Sequence, residues 1–90
     1  MSVKIHVPTY VTFLTDNNDT TVVEGNTVGE CLEELVRLYP QLDQLLFTKG
    51  RKATNNFEIY LNMKSINPEG LGKPVEDNDE IAIIATLTGG

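Results

Sequence analysis

Cysteine and histidine each occur once in this chain, as Cys31 and His6. One thiol cannot close an internal disulfide, and no Cys/His cluster has the spacing of a zinc or iron–sulfur site. Neither a covalent staple nor a metal is expected to support the fold, so packing must. Long apolar runs are also missing. No stretch approaches the ~20 apolar residues of a membrane helix, and the opening Met1-Ser2-Val3-Lys4-Ile5-His6 has no basic segment followed by an apolar one. A cytoplasmic location without a membrane partner is the expectation. Basic residues are scarce: 7 Lys and Arg against 13 Asp and Glu leave a formal net charge of −6. That balance opposes the phosphate neutralisation on which nucleic-acid binding depends, so DNA and RNA are excluded as expected partners.

What is present is ordinary globular material, 40% hydrophobic and 22% charged over 90 residues. A chain of this length buries roughly 60% of its unfolded surface, enough for one small domain. Apolar residues alternate through Val3, Ile5 and Val7 and resume after Pro8 with Tyr10, Val11 and Phe13, which predicts a first strand bent at the proline. Asp16-Asn17-Asn18-Asp19 is a cluster of turn formers, and the β-prone residues 20–24 follow it, so a hairpin is expected.

Thr27-Val28-Gly29-Glu30 fits a capping box, in which the threonine hydroxyl accepts from the Glu30 amide and the Glu30 carboxylate reaches back to the cap's own N–H. Val28, Leu32, Leu35, Val36 and Tyr39 then mark one face of a helix, with Cys31 at the border of the stripe and Pro40 as the stop. Leu42, Leu45, Leu46 and Phe47 suggest a helical turn plugging one end of the core, and residues 48–56 read as a loop. Phe57, Ile59, Leu61 and Met63 alternate as a third strand. Residues 66–79, with two Pro and two Gly, form a long connection with local turns of its own, and residues 80–87 close the chain as a final strand.

The order is ββαββ. One helix covers one face of such a sheet, which predicts a two-layer α+β domain over residues 1–87. By analogy of topology this is the ubiquitin-like β-grasp, a mixed sheet of four to five strands with the first and last parallel at its centre. Alternation in the last strand sends Ile81, Ile83 and Ala85 one way and Ala82, Ile84 and Thr86 the other. If the first set faces the helix, Ile84 lies on the uncovered face, either as a partner contact or as an isolated exposed apolar residue with no function.

After Leu87 come Thr88, Gly89 and Gly90, a tail whose extended reach is about 10 Å. Two glycines make it thin enough to thread into another protein's active site. A terminal carboxylate there, with a pKa near ~3.3–3.7, is ionised at neutral pH and resists nucleophilic attack, so any chemistry must first activate it. Adenylation would supply a leaving group, after which a persulfide can convert the carboxylate into a thiocarboxylate. Lys49, Arg51 and Lys52 crowd one polar segment, and Glu76, Asp77, Asp79 and Glu80 crowd the turn before the last strand. The acidic group reads either as a solvated turn or as a steering patch for a basic groove.

The chain resembles the sulfur carriers that include the small subunit of molybdopterin synthase and the thiamine-pathway carrier. The marks of the resemblance are the early strand, Gly25-Asn26-Thr27-Val28 at the start of the helix, Tyr60-Leu61-Asn62, Asp77-Asn78-Asp79-Glu80-Ile81 and the final Gly89-Gly90. The resemblance implies that Gly90 is adenylated and thiocarboxylated, with Gly89 as the thin residue behind it. It also implies that Leu87, Thr88 and the uncovered face, with Ala82, Ile84 and Thr86, meet the activating enzyme. The implied partners are an E1-like adenylating enzyme, which uses ATP, and a sulfur-accepting synthase; the carrier itself is expected to bind no cofactor and to be no enzyme. Val7-Pro8-Thr9 and the long connection holding Gly70-Leu71 look more like carriers serving cysteine or related sulfur metabolites, while a molybdopterin role suits the acidic turn equally well. Two rivals remain: a ubiquitin-like modifier conjugated through Gly90, and an interaction module without terminal chemistry. His6, within a strand, reads as structural, Cys31 as a core-edge residue, and the Asp pairs do not match a calcium loop.

Overall fold

The computed structural model describes residues 1–47, 50, 57–67 and 69–85. Strand β1 (Ser2–His6) pairs antiparallel with β2 (Thr20–Glu24) and parallel with the last strand, β5 (Glu80–Ala85). Strand β3 (Phe57–Leu61) pairs antiparallel with β5, and a two-residue strand, β4 (Lys64–Ser65), adds a fifth member, giving the order β2-β1-β5-β3-β4. β1 and β5 are therefore the central parallel pair of a mixed five-stranded sheet, the β-grasp arrangement expected from the order of elements.

Helix α1 (Val28–Leu38) covers one face. Thr27 caps it, its hydroxyl accepting from Glu30 N–H at 3.1 Å. The reciprocal bond differs from expectation: the Glu30 carboxylate accepts from Asn26 N–H at 2.9 Å, one residue before the cap. Thr27 itself bridges to Pro74 of the long connection, which draws the chain before the helix against that segment. The helix buries Val28, Cys31, Leu32 and Leu35 against Val3, Ile5, Ile81 and Ile83, so Cys31 lies within the core rather than at its border. Pro40 starts a single 3-10 turn (Pro40–Leu42) that leads into α2 (Asp43–Leu46); across this stretch Leu42, Leu46 and Phe47 are buried in the core, with Leu45 partly buried against it, as the sequence suggested.

Two expectations are corrected. Residues 9–13 are not the continuation of a strand but part of a 3-10 helix (Thr9–Leu14). Pro8 has no N–H to give a sheet ladder, and its carbonyl instead accepts from Val11 N–H at 3.0 Å, starting a turn with i, i+3 spacing. Val11 is buried and Leu14 packs against the core, while Tyr10 and Phe13 are 60% and 73% exposed. Met63 does not extend β3 either. Asn62 and Met63 take positive φ angles of 51° and 71°, which end the strand in a tight turn and leave Met63 93% exposed. The connection over residues 66–79 does hold local structure, a 3-10 turn at Gly70–Gly72, and it buries Ile66 and Val75. The loop expected at 48–56 lies outside the described residues except for Gly50.

Candidate functional site: the open sheet face and the end of the last strand

Side chains alternate along β5 as the period of a strand requires. Ile81 and Ile83 are buried under α1, while Ala82 is partly covered and Ile84 is 46% exposed on the opposite face. Cross-strand register fixes their neighbours. Ala82 sits between His6 of β1 and Tyr60 of β3, and Ile84 lies beside Glu58. The small Ala82 side chain leaves a shallow depression, lined also by His6, Asn62, Met63 and Glu80.

The groups around it hold one another. His6 Nε2 lies 2.8 Å from Glu80 Oε1, and Nδ1 lies 2.9 Å from Thr20 Oγ1. A carboxylate only accepts, so in the neutral ring Nε2 carries the proton and Nδ1 accepts from the Thr20 hydroxyl. This chain of bonds links β2, β1 and β5 across the open face, a structural role for the histidine. Tyr60 O–H donates to Glu58 Oε2 at 3.0 Å, which holds the phenol pKa above its usual value.

The acidic turn stands at the other end of β5. Asp77 Oδ1 accepts from Ser2 N–H at 2.8 Å, and Asp79 accepts from Glu76 N–H at 2.7 Å and from the Asn62 amide at 3.0 Å. Asn62 Oδ1 in turn accepts from Glu80 N–H at 3.0 Å. The turn thus ties together the start of β1, the end of β3 and the start of β5. Five residue steps of about 3.3 Å separate Glu80 from Ala85, so the turn lies roughly 17 Å from the strand's far end. Asp77 and Asp79 are accounted for by this stitching without any partner. Among the described residues no group of three or more His, Cys, Asp or Glu is placed to hold a metal ion, and no helix is long and apolar enough to cross a membrane.

Of the residues singled out in the sequence, the structure brings Ala82 and Ile84 onto one face. Thr86, Leu87, Thr88, Gly89 and Gly90 lie outside the described residues, as does the boundary between residues 87 and 88. The last described residue, Ala85, is paired with Phe57. Sequence reasoning missed the 3-10 helix beside that end of the sheet. The signal was available, since Pro8 followed by apolar residues at 11 and 14 is a three-residue spacing and not a two-residue one.

A comparison with curated proteins finds no match. Solved structures do match. Small archaeal modifier protein 1 from Methanosarcina acetivorans superposes with a TM-score of 0.86 at 26% identity, over 99% of this chain and 96% of that one. A chain of the BexX/CysO complex from Amycolatopsis orientalis gives 0.85 at 22%, over 98% and 99%. A Pyrococcus furiosus protein described as molybdopterin converting factor, subunit 1, gives 0.75 at 17%, over 97% and 99%. These likenesses establish the shared fold. The family is settled by sequence: the model described as the ThiS family matches residues 8–90, taking in β2 to β5 but not β1 and running through Gly89-Gly90, and the chain belongs to that family of ubiquitin-like sulfur carriers.

Proposed function

We propose that this chain carries sulfur on the carboxylate of Gly90. The observation that supports this most directly is that the family match runs through Gly89-Gly90 on a chain whose central strand, β5, leads toward them. Gly90 lies five residue steps beyond Ala85, a reach of about 16–18 Å when extended. That is enough to place a terminal carboxylate in the active site of a separate enzyme, and a glycine pair offers no Cβ to obstruct the approach.

The chemistry follows from the carboxylate's low electrophilicity. A carboxylate oxygen attacks the α-phosphate of ATP on an E1-like adenylating enzyme, pyrophosphate departs, and an acyl-adenylate forms at Gly90. A protein persulfide then attacks the carbonyl and AMP leaves, giving an acyl disulfide. A thiol attacks the sulfur farther from the carbonyl, which releases the Gly90 thiocarboxylate and leaves a disulfide between the thiol and the former persulfide. The thiocarboxylate is a soft nucleophile that a sulfur-accepting synthase can use. In this scheme the chain is a co-substrate and not an enzyme, ATP belongs to the partner, and the setting is the cytoplasm. The Val7-Pro8-Thr9 segment and the connection around Gly70-Leu71 support cysteine or a related sulfur metabolite as the product, with molybdopterin as the alternative.

A second reading, a modifier joined to lysines through Gly90, is favoured by the likeness to an archaeal modifier protein. Intact-mass spectrometry separates the two. After incubation with the adenylating enzyme, ATP and a sulfur source, the carrier gains the mass difference between sulfur and oxygen. Lysine-linked adducts without that gain would support the modifier, and neither change would leave a binding module.

A further inference from the structure

We infer that Tyr10 and Phe13 form a docking knob for the adenylating enzyme, seated in an apolar pocket of that enzyme beside the site that takes Gly90. The inference rests on the carrier reading above. In a 3-10 helix residues three apart eclipse one another, so Tyr10 and Phe13 stack on one side of Thr9–Leu14 while Val11 and Leu14 occupy another. The inner pair is anchored in the core, whereas the outer pair remains 60% and 73% exposed. Single exposed apolar side chains need no explanation, but two aromatic rings aligned on one rigid turn make a compact surface of the type that dominates interfaces. The turn is held by its own bonds: Thr12 Oγ1 donates to Thr9 O at 2.7 Å, and the buried Thr15 hydroxyl donates to Asn18 O at 2.6 Å. The rings are therefore presented without a loop having to order on binding.

Position selects the occupant. β1 and β5 are parallel, with His6 level with Ala82, so both strands end at the same edge of the sheet. The 3-10 helix follows β1 at that edge, and Val11 lines an apolar crevice with Phe57 and Ile83, Phe57 being the residue paired with Ala85. An enzyme that grips Gly90 works within about 16–18 Å of Ala85, near enough to meet this edge. Asp16 and Asp19, both exposed, follow the aromatic pair, so the complementary pocket is an apolar one with a basic rim.

The test is ATP–pyrophosphate exchange by the adenylating enzyme from the same source, with the full chain as substrate. Tyr10→Ser/Phe13→Ser should fold with an unchanged circular dichroism spectrum, raise KM for the chain at least about tenfold and leave kcat within about twofold, because the reacting carboxylate is untouched. Asn67→Ala, on the connection after β4, should change neither constant. If the double variant does not fold, Phe13→Ser alone serves, with KM raised several-fold. An unchanged KM for the folded variant, or a loss confined to kcat, overturns the docking knob while leaving the carrier reading intact. So does self-association of the wild type that the double substitution abolishes without changing KM. No exchange with the wild-type chain overturns both.

Discussion

A Cβ built on Gly25 would lie 2.9 Å from Cys31 Sγ and 3.0 Å from Cys31 N, and since the second contact is backbone it cannot swing aside. Gly25→Ala should therefore destabilise the domain by about 1–3 kcal/mol, the usual cost of overpacking, read as a lower urea midpoint. Its neighbour in that contact is a thiol whose pKa is raised, chiefly because burial penalises the thiolate; the N-terminal ammonium opposes the shift, and Glu30, Glu24 and Asp79 add to it. The sign of the linkage follows. Below the unfolded thiol's pKa of ~8.5 both states hold the proton and nothing is lost; above it the unfolded chain ionises first, so this contribution disappears as pH rises through the folded value. Stability should fall more steeply above pH ~8.5 in the wild type than in Cys31→Ala, and alkylation of Cys31 should accelerate in urea in step with unfolding. At the helix cap, Thr27→Ala removes the 3.1 Å acceptor of Glu30 N–H and should cost about 1 kcal/mol.

Elements differed in how openly the residues declared them. α1 was legible from end to end because cap, apolar stripe, charge placement and the stop at Pro40 all agree, and consistency between levels is what makes a segment readable. The central parallel pairing was legible for a different reason: a hairpin, one crossover helix and a final apolar strand match the β-grasp order, and the pairing was read by analogy with that topology. The 3-10 helix was not, because Tyr, Val and Phe carry strand propensity and only the loss of the Pro8 donor and the three-residue spacing argue against it. β3 overran at Met63 because alternation records side chains and not the positive φ of Asn62 and Met63 that ends the strand. β4 is too short, at two residues, to leave a pattern. The candidate site was legible where alternation applies, at Ala82 and Ile84, and illegible at Tyr10 and Phe13, whose value comes only from where the chain sets them. Ile84→Asp should weaken binding to the adenylating enzyme, and a titration by calorimetry that shows unchanged affinity would remove Ile84 from the contact. Glu58 lies directly across from Ile84, so the aspartate adds a like-charge pair worth about 0.2–1 kcal/mol of stability; Ile84→Ser is the companion variant free of that effect.

Across the whole molecule, structure and proposed chemistry occupy opposite ends of β5. At its start the acidic turn binds three strands together through Asp77, Asp79 and Asn62, and at its finish the described ladder stops at the pairing of Ala85 with Phe57. Among the described residues, the core draws on positions from Val3 to Ile83. Stability and reactivity should therefore separate cleanly. Deleting Gly90 should leave the unfolding free energy within about ±0.5 kcal/mol, the range for changes that touch neither core nor ladder, while abolishing thiocarboxylate formation because the reacting carboxylate is displaced by one residue. Asn62→Ala should do the reverse: it removes the acceptor for Glu80 N–H and a donor to Asp79, so the melting temperature should fall while the mass gain at Gly90 persists below the new transition. Melting and intact-mass measurements on the two variants form a crossed test. A Gly90 deletion that unfolds the chain would show that residues 86–90 pack into the domain, and an Asn62→Ala chain that stays stable but cannot be converted would show that the stitched end also takes part in the transfer.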